Sequence, residues 1–379
     1  MSSTLRVGAP SGADPTGVND SSLALNREIR RLCAVALPRQ NVELSLENGI
    51  FRLDESLTIN SSVVGCSGKL RISDGTLVAG PNLSGRGTNS SYLLMALGYW
   101  ASGLELSRLV LACNHSVGGL RVDSAGHVHL FDSKIVNFAT NGVWGSHLLP
   151  GAGHDLVIAR CLFTECTKQM EHCADIRGKR GTGLLLEFAD SHVRNSVFTC
   201  SKAGVVNRGG SNTFTDLHIW TSCTGLAPYS SNTTVGFSEE GGVTRISNMQ
   251  LDNSRLVLSH YRGTSILGSL FQGTGRLELA RPQLPSPPPR VNQSSPTCEY
   301  WRGALCGLQV QSNRFICTTP STCASIDASA LGPVRSARWV SVVRNAFEDD
   351  RAALCSARRR CSSEAECAGL FQLGQACDT

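Results

Sequence analysis

No stretch of this sequence approaches the roughly 20 consecutive apolar residues that a membrane-spanning helix needs, and residues 1–10 carry no apolar core of a secretory leader. Charge is sparse. Asp, Glu, Lys and Arg make up 17% of the 379 residues, and a net charge of +5 is too mild for the dense basic face of a nucleic-acid binder. The 16 cysteines include no Cys-x-x-Cys pair, so the zinc reading of a Cys-rich chain loses its usual ligand spacing. These absences leave neither membrane nor nucleic acid among the expected partners.

What is present is a repeat. In residues 192–220, Val193 and Phe198 stand five apart, as do Phe214 and Ile219, with Asn195 or Asp216 two places after the first of each pair. An unbroken strand would send positions five apart to opposite faces. Both can face one core only if the chain bends between them, and Asn and Asp suit such a bend because they tolerate the left-handed conformation. The same spacing recurs at Leu46 and Phe51, Ile72 and Leu77, Leu106 and Leu111, Leu130 and Ile135, and Ile158 and Phe163. It continues at Ile246 and Leu251, Ile266 and Phe271, Val310 and Phe315, and Val342 and Phe347. The closest neighbours lie 20 to 24 residues apart, a period of stacked supersecondary units too short for helices. The pattern predicts a right-handed parallel β-helix with one coil per repeat; a β-sandwich or propeller is the alternative. Asp132, Asn195, Asp216, Asn248 and Asn313 are read as the structural bend residues.

Eight of the cysteines lie from Cys298 onward, and Cys355, Cys361, Cys367 and Cys377 suggest a short disulfide-stapled tail. Cys166, Cys200 and Cys223 follow second anchors and are expected to stack in neighbouring coils. Seven Asn-x-Ser/Thr sequons, at Asn19, Asn60, Asn82, Asn89, Asn114, Asn232 and Asn292, agree with the cysteines in pointing to a glycosylated protein of an oxidising, extracellular or cell-surface setting. On that reading any leader lies outside this sequence.

Residues 11–22 are turn chemistry ending on the helix caps Asp20 and Ser21. Leu25, Ile29, Leu32 and Val35 then mark an amphipathic helix over 23–37, suited to covering the open end of a solenoid. The segment Gly12-Ala-Asp-Pro-Thr-Gly-Val-Asn-Asp-Ser-Ser-Leu-Ala-Leu resembles the opening motif of the pectate-lyase-like superfamily of right-handed β-helix proteins, where it leads into a capping helix. Asn212-Thr-Phe-Thr-Asp-Leu-His-Ile-Trp and Val310-Gln-Ser-Asn-Arg-Phe are similar to coil sequences of that group. The resemblance covers about residues 11 to 350 and implies the fold. It leaves activity open, because the group includes polysaccharide lyases, glycoside hydrolases, fructan-cleaving transferases and phage tail spikes. The polygalacturonase signatures Asn-Thr-Asp with paired Asp and Gly-His-Gly do not occur, so ordinary pectin hydrolysis is not expected. The expected organisation is a turn segment and capping helix over 1–38, a β-helix over 39–350 with a Pro-rich loop at 281–305, and a Cys-rich tail over 351–379.

If each anchor pair marks the second and third sheets, the first sheet is built from residues 142–144, 183–188, 204–208, 236–240 and 256–260. Aligning these on their glycines, or on Leu256, puts Glu187, Arg208, Glu240 and Ser259 or His260 in one row. In the β-helix enzymes that the chain resembles, the carbohydrate groove runs along that sheet. Two carboxylates and a cation are the parts of glycosidic chemistry: an acid for the leaving oxygen, a second carboxylate to activate water or attack carbon, and a cation to bind sugar. In a lyase, Arg208 or His260 would instead remove the proton beside a uronate carboxylate. Outward Glu and Arg on neighbouring strands also pair simply with each other. Glu239 replaces Glu240 if the alignment slips by one. Trp144 could stack on a sugar, and Arg177, Lys179 and Arg180 in the charged insert 167–182 could clamp an acidic glycan.

The sequence thus predicts an extracellular carbohydrate-active protein that cleaves a polysaccharide as a hydrolase or lyase; the alternative is a non-catalytic glycan-binding or surface-layer β-helix. No cofactor is expected, and calcium comes into question only in the lyase case. A monomer is expected, with a trimer as the other possibility.

Overall fold

A computed structural model describes residues 4–83, 91–123, 126–146, 154–165, 181–199, 201, 203–220, 235–240, 243–259, 263–273, 275–279, 304–306, 308–316, 325–327, 336–338 and 341–348. Residues 281–303 of the expected Pro-rich loop 281–305, the cysteines Cys166, Cys200 and Cys223, and the Cys-rich tail lie outside them; the strand Ala304–Cys306 takes up the last two residues of that loop. The fold is a right-handed parallel β-helix, built from short strands that pair in parallel from coil to coil. The chain divides into two compact units, Met1–Val205 with Cys223–Leu226, and Val206–Ser222 with Ala227–Thr379.

Within the first unit the anchors stack in register. Ile72, Leu106, Leu130, Ile158 and Val193 form one column, and Phe51, Leu77, Leu111, Ile135, Phe163 and Phe198 another. In the second unit Phe214, Ile246, Ile266, Val310 and Val342 align, as do Ile219, Leu251, Phe271 and Phe315. Val193, Phe198, Phe214 and Ile219 are all buried. Stacked rings carry the columns onward: Phe163 lies on Phe198 with centroids 4.5 Å apart, and Phe271 on Phe315 at 4.6 Å.

The odd spacing has the cause the sequence suggested. Asp74, Arg108, Asp132, Arg160, Asn195, Asp216, Asn248, Gly268, Ser312 and Arg344, each two places after a first anchor, all adopt positive φ between 48° and 62°. One left-handed residue turns the chain through a corner and returns the next anchor to the interior. Such a residue costs roughly 1–2 kcal/mol where it is neither Gly nor Asx. At Arg108 and Arg160 the long side chain reaches back to the corner carboxylate of the coil before: Arg108 pairs with Asp74, and Arg160 with Asp132 through two bonds of 2.6 and 2.8 Å.

Two expectations shift by a few residues. Ile72 pairs with Leu44 rather than Leu46, because the first corner spends extra residues, with Glu47 and Asn48 both left-handed. Asn313 is not the corner residue of its coil; Ser312 is. Asn313 is buried at the next position, where its amide oxygen accepts from Ser269 N at 2.8 Å and its amide nitrogen donates to Ile266 O at 3.1 Å. That inner position is a second polar column: Ser133 Oγ accepts from Leu109 N, Ser196 Oγ from Cys161 N, and Ser269 Oγ from Met249 N, each at 3.1 Å. These side chains satisfy backbone donors that the corner removes from the ladder.

At the N-terminal end, residues read as turn include the strands Thr4–Val7 and Thr16–Asp20, which pair with Asn41–Ser45 and Ile50–Leu53. The carboxylate of Asp14 gathers Thr16 N, Thr16 Oγ1 and Asn19 N between 2.6 and 2.9 Å. The helix Ser22–Val35 follows, with Leu25, Ile29, Leu32 and Cys33 buried. Val35 is exposed, so the apolar stripe ends a turn earlier than its spacing suggested. Asp20 Oδ1 accepts from Ser22 N at 3.0 Å and from Asp54 N at 2.9 Å, holding the helix start to the coil. A disulfide between Cys33 and Cys66 fastens the helix from its other end. Among the described residues no helix is long and apolar enough to cross a membrane.

Candidate functional site

In the first unit the strands Leu57–Asn60, Tyr92–Leu97, Gly118–Asp123, Asn141–Ser146 and Thr182–Leu186 form the sheet on which the sequence placed its candidate groove. Leu94, Leu120, Val143 and Leu184 share one inward register position. The next position, outward, holds Met95, Arg121, Trp144 and Leu185. Glycines set how closely these coils start: a Cβ on Gly119 would meet Gly142 O at 2.4 Å, and one on Gly142 would meet Gly183 O at 2.6 Å. That column is the physical basis for aligning the strands on their glycines.

Two of the predicted side chains meet here. Glu187 follows Thr182–Leu186 and donates its backbone N–H to Gly145 O at 2.8 Å, continuing the ladder beside Ser146. Its carboxylate Oε2 accepts the indole N–H of Trp144 at 3.2 Å. The Arg121 guanidinium lies 4.8 Å from the centroid of the Trp144 ring, and the ring of Tyr92 lies 6.0 Å away on a tilt. Arg121 also donates to Asp123 Oδ2 at 2.6 Å. The Tyr92 hydroxyl accepts from Asn141 Nδ2 at 2.9 Å, and burial raises the phenol's pKa above its ordinary value. Three buried polar atoms of this patch have no hydrogen-bond partner among the described residues: Arg121 Nε, Asp123 Oδ1 and Ser146 Oγ. Buried polar atoms are nearly always paired, so three orphans in adjacent positions mark a place where water or a ligand completes the set.

Arg121, Asp123, Tyr92 and Ser146 were missed by the sequence reading, although the signal for two of them was at hand. Four places after Gly119, Gly142 and Gly183 stand Asp123, Ser146 and Glu187, so the glycine alignment carried two coils back puts Asp123 in the row of Glu187. Tyr92 gave no such signal, since its strand begins without a glycine.

In the second unit Arg208 and Glu240 come together. Glu240 N–H donates to Asn207 O at 2.7 Å, which sets the two in neighbouring coils. Arg208 Nε donates to Glu240 Oε2 at 2.9 Å, and Ser238 Oγ donates to Oε1 at 3.0 Å. Both charged side chains are substantially exposed. Beneath them, Asn207 Nδ2 donates to Thr244 Oγ1 at 3.0 Å, and Asn212 Nδ2 to Asn207 Oδ1 at 2.7 Å, a buried amide brace under the strand end. Glu239 lies in the strand Val235–Glu239. His260, Arg177, Lys179 and Arg180 lie outside the described residues. Among the described residues no group of three His, Cys, Asp or Glu side chains is placed to hold a metal ion.

No protein-family model and no curated protein matches this chain. Solved structures do. An endo-xylogalacturonan hydrolase from Aspergillus tubingensis shares 9% identity, with 90% of each chain covered and a TM-score of 0.51. PfbA, a surface adhesin of Streptococcus pneumoniae, shares 11% identity over 92% of this chain and 90% of its own, at a TM-score of 0.46. ORF18 of Geobacillus virus E2 shares 12% identity over 85% of this chain, at a TM-score of 0.46, and this chain spans 61% of its length. At these identities the likeness, carried by the endo-xylogalacturonan hydrolase, is one of fold alone: a right-handed parallel β-helix, the architecture that the opening motif implied.

Proposed function

We propose that this protein is a carbohydrate-active β-helix protein, extracellular or at the cell surface, that cleaves a polysaccharide as a glycoside hydrolase or lyase on the sheet carrying Trp144 and Glu187. The observation that carries the reading is the joined patch of Trp144, Glu187, Arg121 and Asp123 with its three orphaned polar atoms. It offers an aromatic face for the apolar side of a sugar ring, a cation, and carboxylates beside them. The endo-xylogalacturonan hydrolase of like fold supports the substrate class.

In this reading Glu187 is the acid that protonates the leaving oxygen. Asp123 stands two strands away in the same row, roughly 9.6 Å at two strand spacings. That is near the roughly 6.5–9.5 Å of an inverting carboxylate pair and far from the roughly 5 Å of a retaining one. The second unit holds the other candidates drawn from the sequence, Glu240 with Arg208 and His260, as a separate catalytic group. In a lyase Arg208 or His260 in its neutral form would remove the proton beside a uronate carboxylate as the glycosidic oxygen leaves, and calcium could neutralise that carboxylate.

The test is release of reducing ends, or of unsaturated product, from a panel of plant and microbial polysaccharides. Glu187→Gln should abolish release while the thermal unfolding midpoint stays within about 2 °C of the parent. Asp123→Asn should also abolish it if Asp123 is the second carboxylate, and Glu240→Gln tests the separate group of the second unit. Undiminished release by Glu187→Gln would end the assignment.

One observation favours a second reading, a β-helix that binds glycans without cutting them. Both oxygens of Glu240 are already engaged, by Arg208 and Ser238, as ordinary neighbouring charges pair on a solvated sheet. Glycan retention with no product from any polymer of the panel would select it.

A further inference from the structure

A different sheet of the second unit carries a patch that the reading above does not use. The strands His218–Trp220, Gln250–Asp252, Leu270–Gln272 and Arg314–Ile316 pair in parallel. Their middle residues, Ile219, Leu251, Phe271 and Phe315, fill the interior, so the residues on either side of each face outward. Trp220 stands opposite Asp252, which stands opposite Gln272; His218 stands opposite Gln250.

The rings of His218 and Trp220 lie nearly parallel, 10° apart with centroids separated by 6.4 Å. Asp252 is held between its neighbours: Oδ2 lies 2.8 Å from His218 Nε2, and Gln250 Nε2 donates to both carboxylate oxygens at 3.2 Å. The indole Nε1 of Trp220 is buried without a hydrogen-bond partner among the described residues. A partly exposed aromatic pair, an oriented carboxylate and primary amides on one flat face do not improve the packing of the coil. The middle residues already pack the coil, and a buried donor left unpaired among the described residues costs stability.

We propose that this face is a second carbohydrate-binding site, taking an extended neutral polysaccharide chain. A sugar ring has an apolar C–H face and a rim of hydroxyls. The indole and imidazole rings fit the first, and Asp252, Gln250 and Gln272 fit the second, since a carboxylate has about four acceptor positions and its two neighbours use only part of them. The four strands make a platform about 14 Å across, from three strand spacings, which suits a chain of sugars rather than a single one. The neutral class follows from Asp252 beside Trp220: a uronate laid on the indole would bring its carboxylate against a fixed one, while the outward cation Arg314 stands three strands away.

This site does not depend on cleavage, and the experiment keeps the two apart. A Glu187→Gln, Glu240→Gln protein is run through native gels containing a soluble mixed-linkage β-glucan, a xylan or a galactomannan, with polygalacturonate as the acidic comparison. At least one neutral polymer should retard it. Trp220→Ala in the same background should weaken that retardation about tenfold in apparent affinity, Trp220→Tyr should restore most of it, and His218→Ala should weaken it with the circular dichroism unchanged. Passage unretarded through all three neutral gels, retardation by polygalacturonate alone, or equal retardation of the parent and both alanine variants would each overturn the proposal. Loss of product release in the Glu187→Gln protein bears only on the cleavage reading.

Discussion

Asn248 shows what a single corner residue does. At φ 51° it sits where a β-branched side chain is strained, and it turns the chain between Ile246 and Leu251. Asn248→Val should destabilise the protein by about 1–3 kcal/mol in denaturant unfolding, and Asn248→Gly by less than about 1 kcal/mol. An equal effect of the two would mean that the side chain's own bonds, not the left-handed backbone, matter there. Asp74, another corner residue, has its pKa lowered to about 2, first by the hydrogen bond from Arg108. A carboxylate lowered in the folded state adds stability that is complete above its unfolded pKa and disappears as pH falls through the folded one. The Asp74 contribution is therefore complete above about pH 4 and lost towards pH 2, so Asp74→Asn should differ from the parent at neutral pH and converge with it in acid melts. Cys113 and Cys161 are buried thiols whose pKa is raised by burial, Cys161 to about 12. Neither should react with a thiol reagent until the protein is unfolded, as mass spectrometry of labelled native protein would establish.

At the scale of elements, the coil was legible because its two anchors obey a simple geometric constraint, and it was legible only to within a residue or two at the corners. The assignment of Asn313 as a corner failed because Ser and Asn both occupy two adjacent polar positions there. Only the backbone shows that Ser312 is left-handed and Asn313 turns inward. The helix was readable from Leu25, Ile29 and Leu32, whereas its partner across the disulfide was not, since spacing does not reveal which of 16 cysteines pair. Cys33 and Cys66 enclose a separation of 33 residues. Reducing the bond, or Cys66→Ser, should lower stability by about 2–4 kcal/mol on the loop-entropy account, with the loss appearing first as faster amide exchange in Ser22–Val35. Unchanged exchange there would show that the Asp20 contacts hold the helix unaided. The glycine column is equally specific: Gly142→Ala drives a methyl group against Gly183 O and should cost about 1–3 kcal/mol.

For the whole molecule, the fold followed from periodicity, and the candidate site followed in part. The row of Glu187, Arg208 and Glu240 was drawn from strand alignment. What alignment could not show was that Arg208 and Glu240 bond to each other, or that Trp144 donates to Glu187. Those are facts of side-chain reach, which a register of backbones does not contain. Arg121 and Asp123 lie one coil before residues 142–144, the first strand in that alignment. We propose that the protein is a monomer; sedimentation equilibrium should return one chain's mass, and a threefold mass would replace that view with the trimer.

The matched columns of anchors have a further consequence. Residues 246–265 make one full step of 20 residues between Ile246 and its partner Ile266. Excised whole, they would leave Phe214 against Ile266 and Ile219 against Phe271, one aliphatic or aromatic surface meeting another as before. Proteins assembled this way can therefore change length by gaining or losing entire steps, like a ladder cut between rungs, while a cut inside a strand throws the anchors of that step out of line.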